Sequence, residues 1–373
     1  MAGAPKVATC SVSLGCDPEF FFSTKEGETI GSEKVLTQDF KSNYISYGVI
    51  IDGVQAELNP AASTCRESLA HNIIGAMQVV KSAIQHSGNK ITTDFSSVVK
   101  ISKKELESLS EKSQQFGCAP SKNLYDTQAK ITTDPKKYLK RSAGGHIHLG
   151  FYDEYTRYPL LQKEGQVKLV ALLDLLVGIP GVLLDQDKGN KERRKNYGRA
   201  GEYRTPRHGV EYRVLSNFWL RGYPIYSIIF GLARQCVHYI GDRRYDYHKA
   251  FTDLVKQEDV IEAINNNDFD QAMMVWKKVE PLLLETTSSL GFHSLGPTNI
   301  EDFHYLIKKG PAHFINNWND PLVHWLHLGA SPSKACPKPD AFHGACYFLQ
   351  YNVGVKRRQE EEIEKKTKPS YTA

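Results

Sequence analysis

The chain has 373 residues, 40% of them hydrophobic and 24% charged, which excludes collagen-like, fibrous and wholly disordered classes. Lysine plus arginine number 47 against 42 acidic residues, a net charge of +5. That mildly basic balance suits anionic small molecules such as nucleotides and does not demand nucleic acid. The mean hydropathy is −0.43, the N-terminal MAGAPKVATCS lacks the apolar run of a secretory signal, and the seven cysteines form no C-x-x-C pair. A cytoplasmic chain with reduced thiols and no membrane attachment is therefore expected.

Leu14–Phe22 (LGCDPEFFF) reads as a strand, and Pro18 places it at a sheet edge or a strand start. Ile45–Leu58 continues with ISYGVI, a turn at Asp52-Gly53, and VQAEL. A helix is predicted from about Cys65 to Gln85, opened by the T-x-x-E box of Thr64–Glu67 and carrying Leu69, Ile73, Met77, Val80 and Ile84 at helical spacing. Ser102–Glu105 is a second such box, opening a short polar helix. Residues 115–145 read mostly as loop, and Gly145–Phe151 (GHIHLGF) alternates as a strand. Val167–Leu184 is the most apolar stretch, but Lys168, Asp174 and Pro180 mark it as a buried helix rather than a membrane span. Asp187–Arg199 reads as a basic loop. Glu202–Arg204 and Glu211–Leu215 read as paired strands joined by a Pro206–Gly209 turn. From about Gly222 the pattern is mostly helical, and from Lys356 charge runs predict a mobile tail or a lone solvated helix. There is no internal repeat. Strands with interspersed helices, followed by helices, imply an α+β fold around a largely antiparallel sheet.

Three groups of residues carry chemistry. Asp17 and Glu19 are two apart on a strand and so share a face, where they repel unless a cation lies between them. Mg²⁺ or Mn²⁺ favours such oxygen ligands. Glu57 ends another strand between apolar neighbours. Each acid alone could be a solvated carboxylate, but the apolar flanks Phe20–Phe22, Ala56 and Leu58 weaken that reading. His146 and His148 also share a face, beside Gly144 and Gly145. They could be structural histidines, or half of a cupin-type iron site that would need a further His and a Glu, for which Glu154 is only loosely placed. Finally, EYR occurs twice, at Glu202–Arg204 and Glu211–Arg213. Arg199, Arg204, Arg207 and Arg213 are permanently charged donors suited to phosphate and carboxylate. Internal Glu–Arg pairing and a solvated basic stretch are the alternatives. Nucleic-acid binding is another, since nine Lys and Arg lie between Lys188 and Arg213. The interleaved carboxylates and glycines suit a metal–nucleotide pocket better than a phosphate track.

The four segments GCDPEFFF, IDGVQAELNP, AGGHIHLGF and YGRAGEYRTPRHGVEYRVLSNFW, in this order over residues 15–219, resemble the glutamine synthetase and glutamate–cysteine ligase superfamily. Within it they look most like the phage-type COOH·NH2 ligases of type 2, the amidoligases. The resemblance implies a curved, mostly antiparallel sheet cupping the active site, with helices on its outer face. It implies one catalytic domain over 1–355, strand-rich to about 220 and helical over 221–355, followed by a charged tail at 356–373. It also implies ATP and Mg²⁺ (or Mn²⁺) as cofactors, and a carboxylate phosphorylated before an amine displaces the phosphate. The substrates would be a small-molecule or peptide carboxylate and an amine; nucleic acid is expected only as a modified substrate. Asp17, Glu19, Glu57, His146 and Glu211 match the family's metal-side residues, although Asp17 is a methylene shorter than the usual Glu. His148 matches a nucleotide-side neighbour, with Arg199 and Arg207 on the phosphates. Arg213, Arg207 and Arg204 are the candidate catalytic donors. Gly209 stands where glutamine synthetases often carry an Arg two residues before the metal Glu. A non-catalytic scaffold retaining the fold is the competing class.

Overall fold

Strand β1 (Val12–Thr24) is the spine of the architecture. The computed structural model describes residues 12–37, 48–64, 66–88, 90–116, 121–125, 134–151, 160, 162–185, 187–242, 245–289, 297–315, 317–330 and 359–363. The other strands are β2 (Thr29–Ile30), β3 (Val49–Asp52), β4 (Gln55–Leu58), β5 (Ile91–Asp94), β6 (Val98–Lys100), β7 (Lys122–Asn123), β8 (Lys140–Ser142), β9 (Gly145–Phe151), β10 (Glu202–Arg204) and β11 (Gly209–Tyr212). Nine of them form one sheet in the order β3-β4-β1-β9-β11-β10-β7, with β2 and β5 also pairing with β1. Every pair is antiparallel. The fold is thus α+β around an antiparallel sheet.

Period-two alternation sorts the side chains onto two faces. Val12, Leu14, Cys16, Phe20 and Phe22 of β1, Ala56 and Leu58 of β4, Ile147, Leu149 and Phe151 of β9, and Val210 and Tyr212 of β11 all enter one large apolar core. Helices α1 (Arg66–His86), α2 (Lys163–Leu184) and α3 (Tyr223–Gly241) pack on that face. In α1, Leu69, Ile73, Met77 and Val80 are fully buried, and Ile84 packs against the same core. Helix α2 is long and apolar enough to cross a membrane, but 83% of its apolar window is buried inside the protein. It widens into a π turn at Asp174–Gly178, where Asp174 accepts a 2.7 Å hydrogen bond from the Tyr212 hydroxyl. Helices α4 (Gln257–Asn266), α5 (Phe269–Ser289), α6 (Pro297–Lys309) and α7 (Pro321–Ala330) follow.

On the opposite face, Phe21 of β1 joins Val54, Val99, Ile101, Leu106, Leu109 and Ala143 in a second, smaller core. It is roofed by the two-stranded β6–β8 sheet and the short helix Lys103–Glu107. Between this wall and β10 the open face is polar.

Several expectations are corrected. Pro18 does not mark an edge: β1 lies between β4 and β9. Pro18 sits at the last β9 pair, Pro18↔Gly145, where the ladder hands over to other partners and a missing N–H costs little. The hairpin turn falls on Gly53-Val54, with Gly53 at φ +64°, so Asp52 belongs to β3 and pairs with Gln55. Within residues 115–145, expected to be mostly loop, lie only the two- and three-residue strands β7 and β8 among the described residues before β9. The basic loop contains a short helix, Asn190–Arg193. Cys65, the start of the expected first helix, lies outside the described residues, whereas Ser102 caps its helix by accepting from the Glu105 N–H at 3.1 Å. In the tail, residues 359–363 are helical and not alone: Glu360 meets His313 Nε2 at 2.6 Å.

Candidate active site

A row of charge crosses the open face. Glu57 stands opposite Glu19, Asp17 opposite His146, His148 opposite Glu211, and Glu211 opposite Arg204. The alternation that buries the apolar partners of these residues delivers all of them to one side. Two groupings have metal-ligand geometry, each with one ligand atom per residue within 4.8 Å of the others: Asp17, His148 and Glu211, and Glu19, Asp52 and Glu57.

The first grouping is tied by short contacts. His148 Nε2 lies 3.1 Å from Asp17 Oδ2, and His146 Nδ1 lies 2.9 Å from Asp17 Oδ1 and 3.8 Å from Glu211. Glu211 is buried against Arg213, with Arg204 Nη1 at 3.6 Å. Arg213, 1% exposed, also donates to Ser121 Oγ at 2.9 Å and to the Tyr197 hydroxyl at 3.2 Å. In the second grouping, Glu19 is 1% exposed, and its carboxylate accepts the Gly144 N–H at 2.6 Å.

The electrostatics follow from burial and crowding. Burial, then Asp17 and the other nearby acids, pushes Glu57 up to about 10. Burial and Asp52 push Glu19 up to about 7. Burial and Asp17 also raise Asp52. Burial works to raise Asp17 as well, but His146 and His148 together outweigh it and hold that carboxyl far below its usual range. Burial and Arg213 lower His146 to about 4, so its ring is neutral near pH 7. These residues fit a hard divalent cation. The acids resist ionising together, which an added positive charge would reverse. Asp17 Oδ1, His146 Nδ1 and His148 Nε2 are buried without a well-aligned hydrogen bond despite their close approach.

All five proposed metal-side residues, with His148, Arg204 and Arg213, converge on this face. Arg199 is half-buried, on the segment leading into β10. Arg207 is exposed on the β10–β11 turn, beside His208, whose Nε2 lies 3.1 Å from His148 Nδ1. The basic stretch is not a continuous surface. Arg193 and Arg194 are buried and spend their donors on the Val214, Leu215 and Gly198 carbonyls. Glu154, the loosely placed partner of the iron reading, lies outside the described residues. Sequence reasoning missed Asp52, Tyr197 and His208. Asp52 had a signal: in a two-residue hairpin it pairs with Gln55 and so shares the face of Glu57.

A family model described as phage phiEco32-like COOH.NH2 ligase-type 2 matches residues 119–289. The chain resembles this ligase family. The matched segment holds His146, His148, Arg199, Arg204, Arg207, Glu211 and Arg213, but not the acids of β1, β3 and β4. The family name points to a carboxylate–amine ligase, an enzyme forming C–N bonds. A search of the curated proteins found no match. Among solved structures, the chain is similar to a crystal structure of a bifunctional glutathione synthetase from Pasteurella multocida, at 13% identity and a TM-score of 0.37. The match covers 75% of this chain and 49%, about half, of that one.

Proposed function

We propose that this ligase-like chain is an ATP- and Mg²⁺- or Mn²⁺-dependent carboxylate–amine ligase of the glutamine synthetase-like type, working through an acyl phosphate. The observation that carries the reading is the pair of ligand groupings side by side on one sheet face, with Arg213 bonded to Glu211 beside them. In this reading Asp17, His148 and Glu211 hold one cation, and Glu19, Asp52 and Glu57 a second. When bound, the ions neutralise the triphosphate and stabilise the transferring phosphoryl group.

An oxygen of the substrate carboxylate attacks the γ-phosphorus, and ADP leaves with the electron pair of the broken P–O bond. The amine nitrogen then bonds to the acyl carbon, the C–O bond to phosphate breaks, and the amine gives up a proton. The chain's own contribution is positioning and charge. Gly144 N–H fixes Glu19, and the histidines lie against Asp17 at 2.9 and 3.1 Å. Arg213 is a rigid donor held by Glu211 and Ser121. It stabilises the oxyanion that develops at the tetrahedral step. In this reading Arg204 beside Glu211, Arg207 on the turn and Arg199 on the segment before β10 are the phosphate donors.

The test is ADP formation with Mg²⁺ or Mn²⁺ against a panel of amino acids, peptides and amines, with products identified by mass spectrometry. A product heavier by the joined amine, dependent on ATP, is expected. No nucleotide turnover with any pair, and no rise in melting temperature with ATP and Mg²⁺, would favour the non-catalytic scaffold instead.

A further inference from the structure

Tyr197 lies where the two halves of the site meet. Its hydroxyl contacts His146 Nε2 and accepts from Arg213 Nη2 at 3.2 Å. Its ring is held by the Arg193 guanidinium at 4.6 Å and that of Arg213 at 5.4 Å from the centroid. Arg193 is itself anchored on the Val214 and Leu215 carbonyls, at 3.0 and 2.6 Å. Room for the hydroxyl comes from Gly144: a Cβ there would lie 2.6 Å from it and 2.5 Å from His146 Nε2.

The donor inventory sets the direction of these bonds. Arginine only donates, so the phenol oxygen accepts from Arg213, which lets its hydrogen go to His146 Nε2 when that nitrogen is the acceptor. A neutral imidazole accepting at Nε2 carries its proton on Nδ1. That atom faces Asp17 Oδ1 at 2.9 Å. The opposite tautomer would set a nitrogen lone pair against a carboxylate oxygen. Asp17 keeps Oδ2 on the side of His148 and Glu211.

We propose that Tyr197 is a positioning residue: through His146 it orients Asp17 for a divalent cation, and through the same oxygen it sets Arg213. His146 is then an orienter of the ligand Asp17 rather than a ligand. The inference rests on the ligase reading and assigns a residue that the reading itself does not need. Loss of a group bonded directly to a ligand typically weakens metal binding about 10- to 100-fold; Tyr197 acts through His146, one contact further out, so a loss of about 10-fold is expected.

The experiment is Mn²⁺ binding to the full chain by electron paramagnetic resonance, wild type against Tyr197→Phe, with melting temperatures alongside. Phenylalanine keeps the ring under both guanidinium groups and removes only the hydroxyl. Mn²⁺ affinity about 10-fold weaker at a nearly unchanged melting temperature supports the proposal. Wild-type affinity in Tyr197→Phe overturns it and leaves the ligase reading standing, and a collapsed melting temperature assigns Tyr197 to folding and overturns it too. A wild-type chain that binds no Mn²⁺ overturns both the proposal and the cation reading beneath it.

Discussion

Glu19 lies directly opposite Glu57 in the β1–β4 register, and Asp52 closes a triangle of carboxylates whose oxygens lie within 4.8 Å of one another. Without a cation, this triangle works against the fold as pH rises. Glu57 is pushed up to about 10 from an ordinary 4.5 by burial and neighbouring acids, so the folded chain holds a proton that the unfolded chain has released. Between these values the native state binds more protons, and stability falls with rising pH, by up to about 1.4 kcal/mol per pH unit for one group. Glu19, Asp174 and Asp185, raised to about 7, 7 and 6, act in the same direction at lower pH, and His146, lowered to about 4, acts in the opposite one. Glu57 contributes across the whole window from about pH 7.5 to 9, where the raised Cys16 and Cys236 thiols act in the same direction, and a Glu57 variant isolates its share. In metal-free buffer the melting temperature should drop across that window, and Mg²⁺ or Mn²⁺ should restore it. Glu57→Gln should flatten the slope; an unchanged slope in that variant removes the triangle from the account.

Asp52→Asn tests the residue that was hidden in a turn. Asparagine keeps the shape and one oxygen but removes the charge. Loss of one of three anionic ligands should weaken binding at the Glu19–Asp52–Glu57 grouping, read as a lower-affinity Mn²⁺ isotherm and a higher metal requirement for turnover. Because Asp52 is itself raised by burial and by Asp17, the metal-free variant should melt no lower than wild type. A strongly destabilised apo variant with normal Mn²⁺ binding would make Asp52 a structural acid.

The sheet and most of the site could be read from sequence because one face of each long strand is apolar. Cys16, Phe20 and Phe22 leave Asp17 and Glu19 on the other face, and Ile147 and Leu149 leave His146 and His148 there. The short strands β2, β5, β6, β7 and β8 were not legible: none exceeds four residues, and they lack the repeated EYR that marks the equally short β10 and β11. Asp52 was lost to a one-residue shift of the turn, which inverts the face a side chain occupies. The buried arginines were misread for a different reason. Arg193 and Arg194 look like surface charge in sequence, and only the carbonyls of Gly198, Val214 and Leu215, brought close by tertiary structure, make their burial tolerable.

Arg207 and Arg213 of the hairpin should separate cleanly. Arg213 is buried and bonded to buried Glu211. Removing one partner of such a pair leaves an uncompensated charge, at a cost of about 3–5 kcal/mol. Arg213→Ala should therefore lose both turnover and melting temperature. Arg207 is exposed, so Arg207→Ala should stay within about 0.5 kcal/mol in stability. If its guanidinium meets developing charge, turnover should still fall about a hundredfold or more. Wild-type kinetics at limiting and saturating ATP would move the phosphate role to Arg199 or Arg204.

Two glycine-to-alanine changes should have opposite effects. Gly75 lies within α1 with nothing within 4 Å of an added Cβ. Alanine there gains helix propensity and restricts the unfolded chain, so Gly75→Ala should add about 0.4–1 kcal/mol of stability and leave turnover alone. Gly144 differs in every respect. Its N–H holds Glu19 at 2.6 Å, and a Cβ would come within 2.5 Å of His146 Nε2 and 2.6 Å of the Tyr197 hydroxyl. Neither ring can yield without giving up its contact, because His146 faces Asp17 and Tyr197 is bonded to Arg213. Gly144→Ala should therefore lose Mn²⁺ affinity and turnover out of proportion to its change in melting temperature. Full activity in Gly144→Ala, measured beside the Gly75→Ala control, would mean that neither His146 nor Tyr197 needs its present place for the reaction.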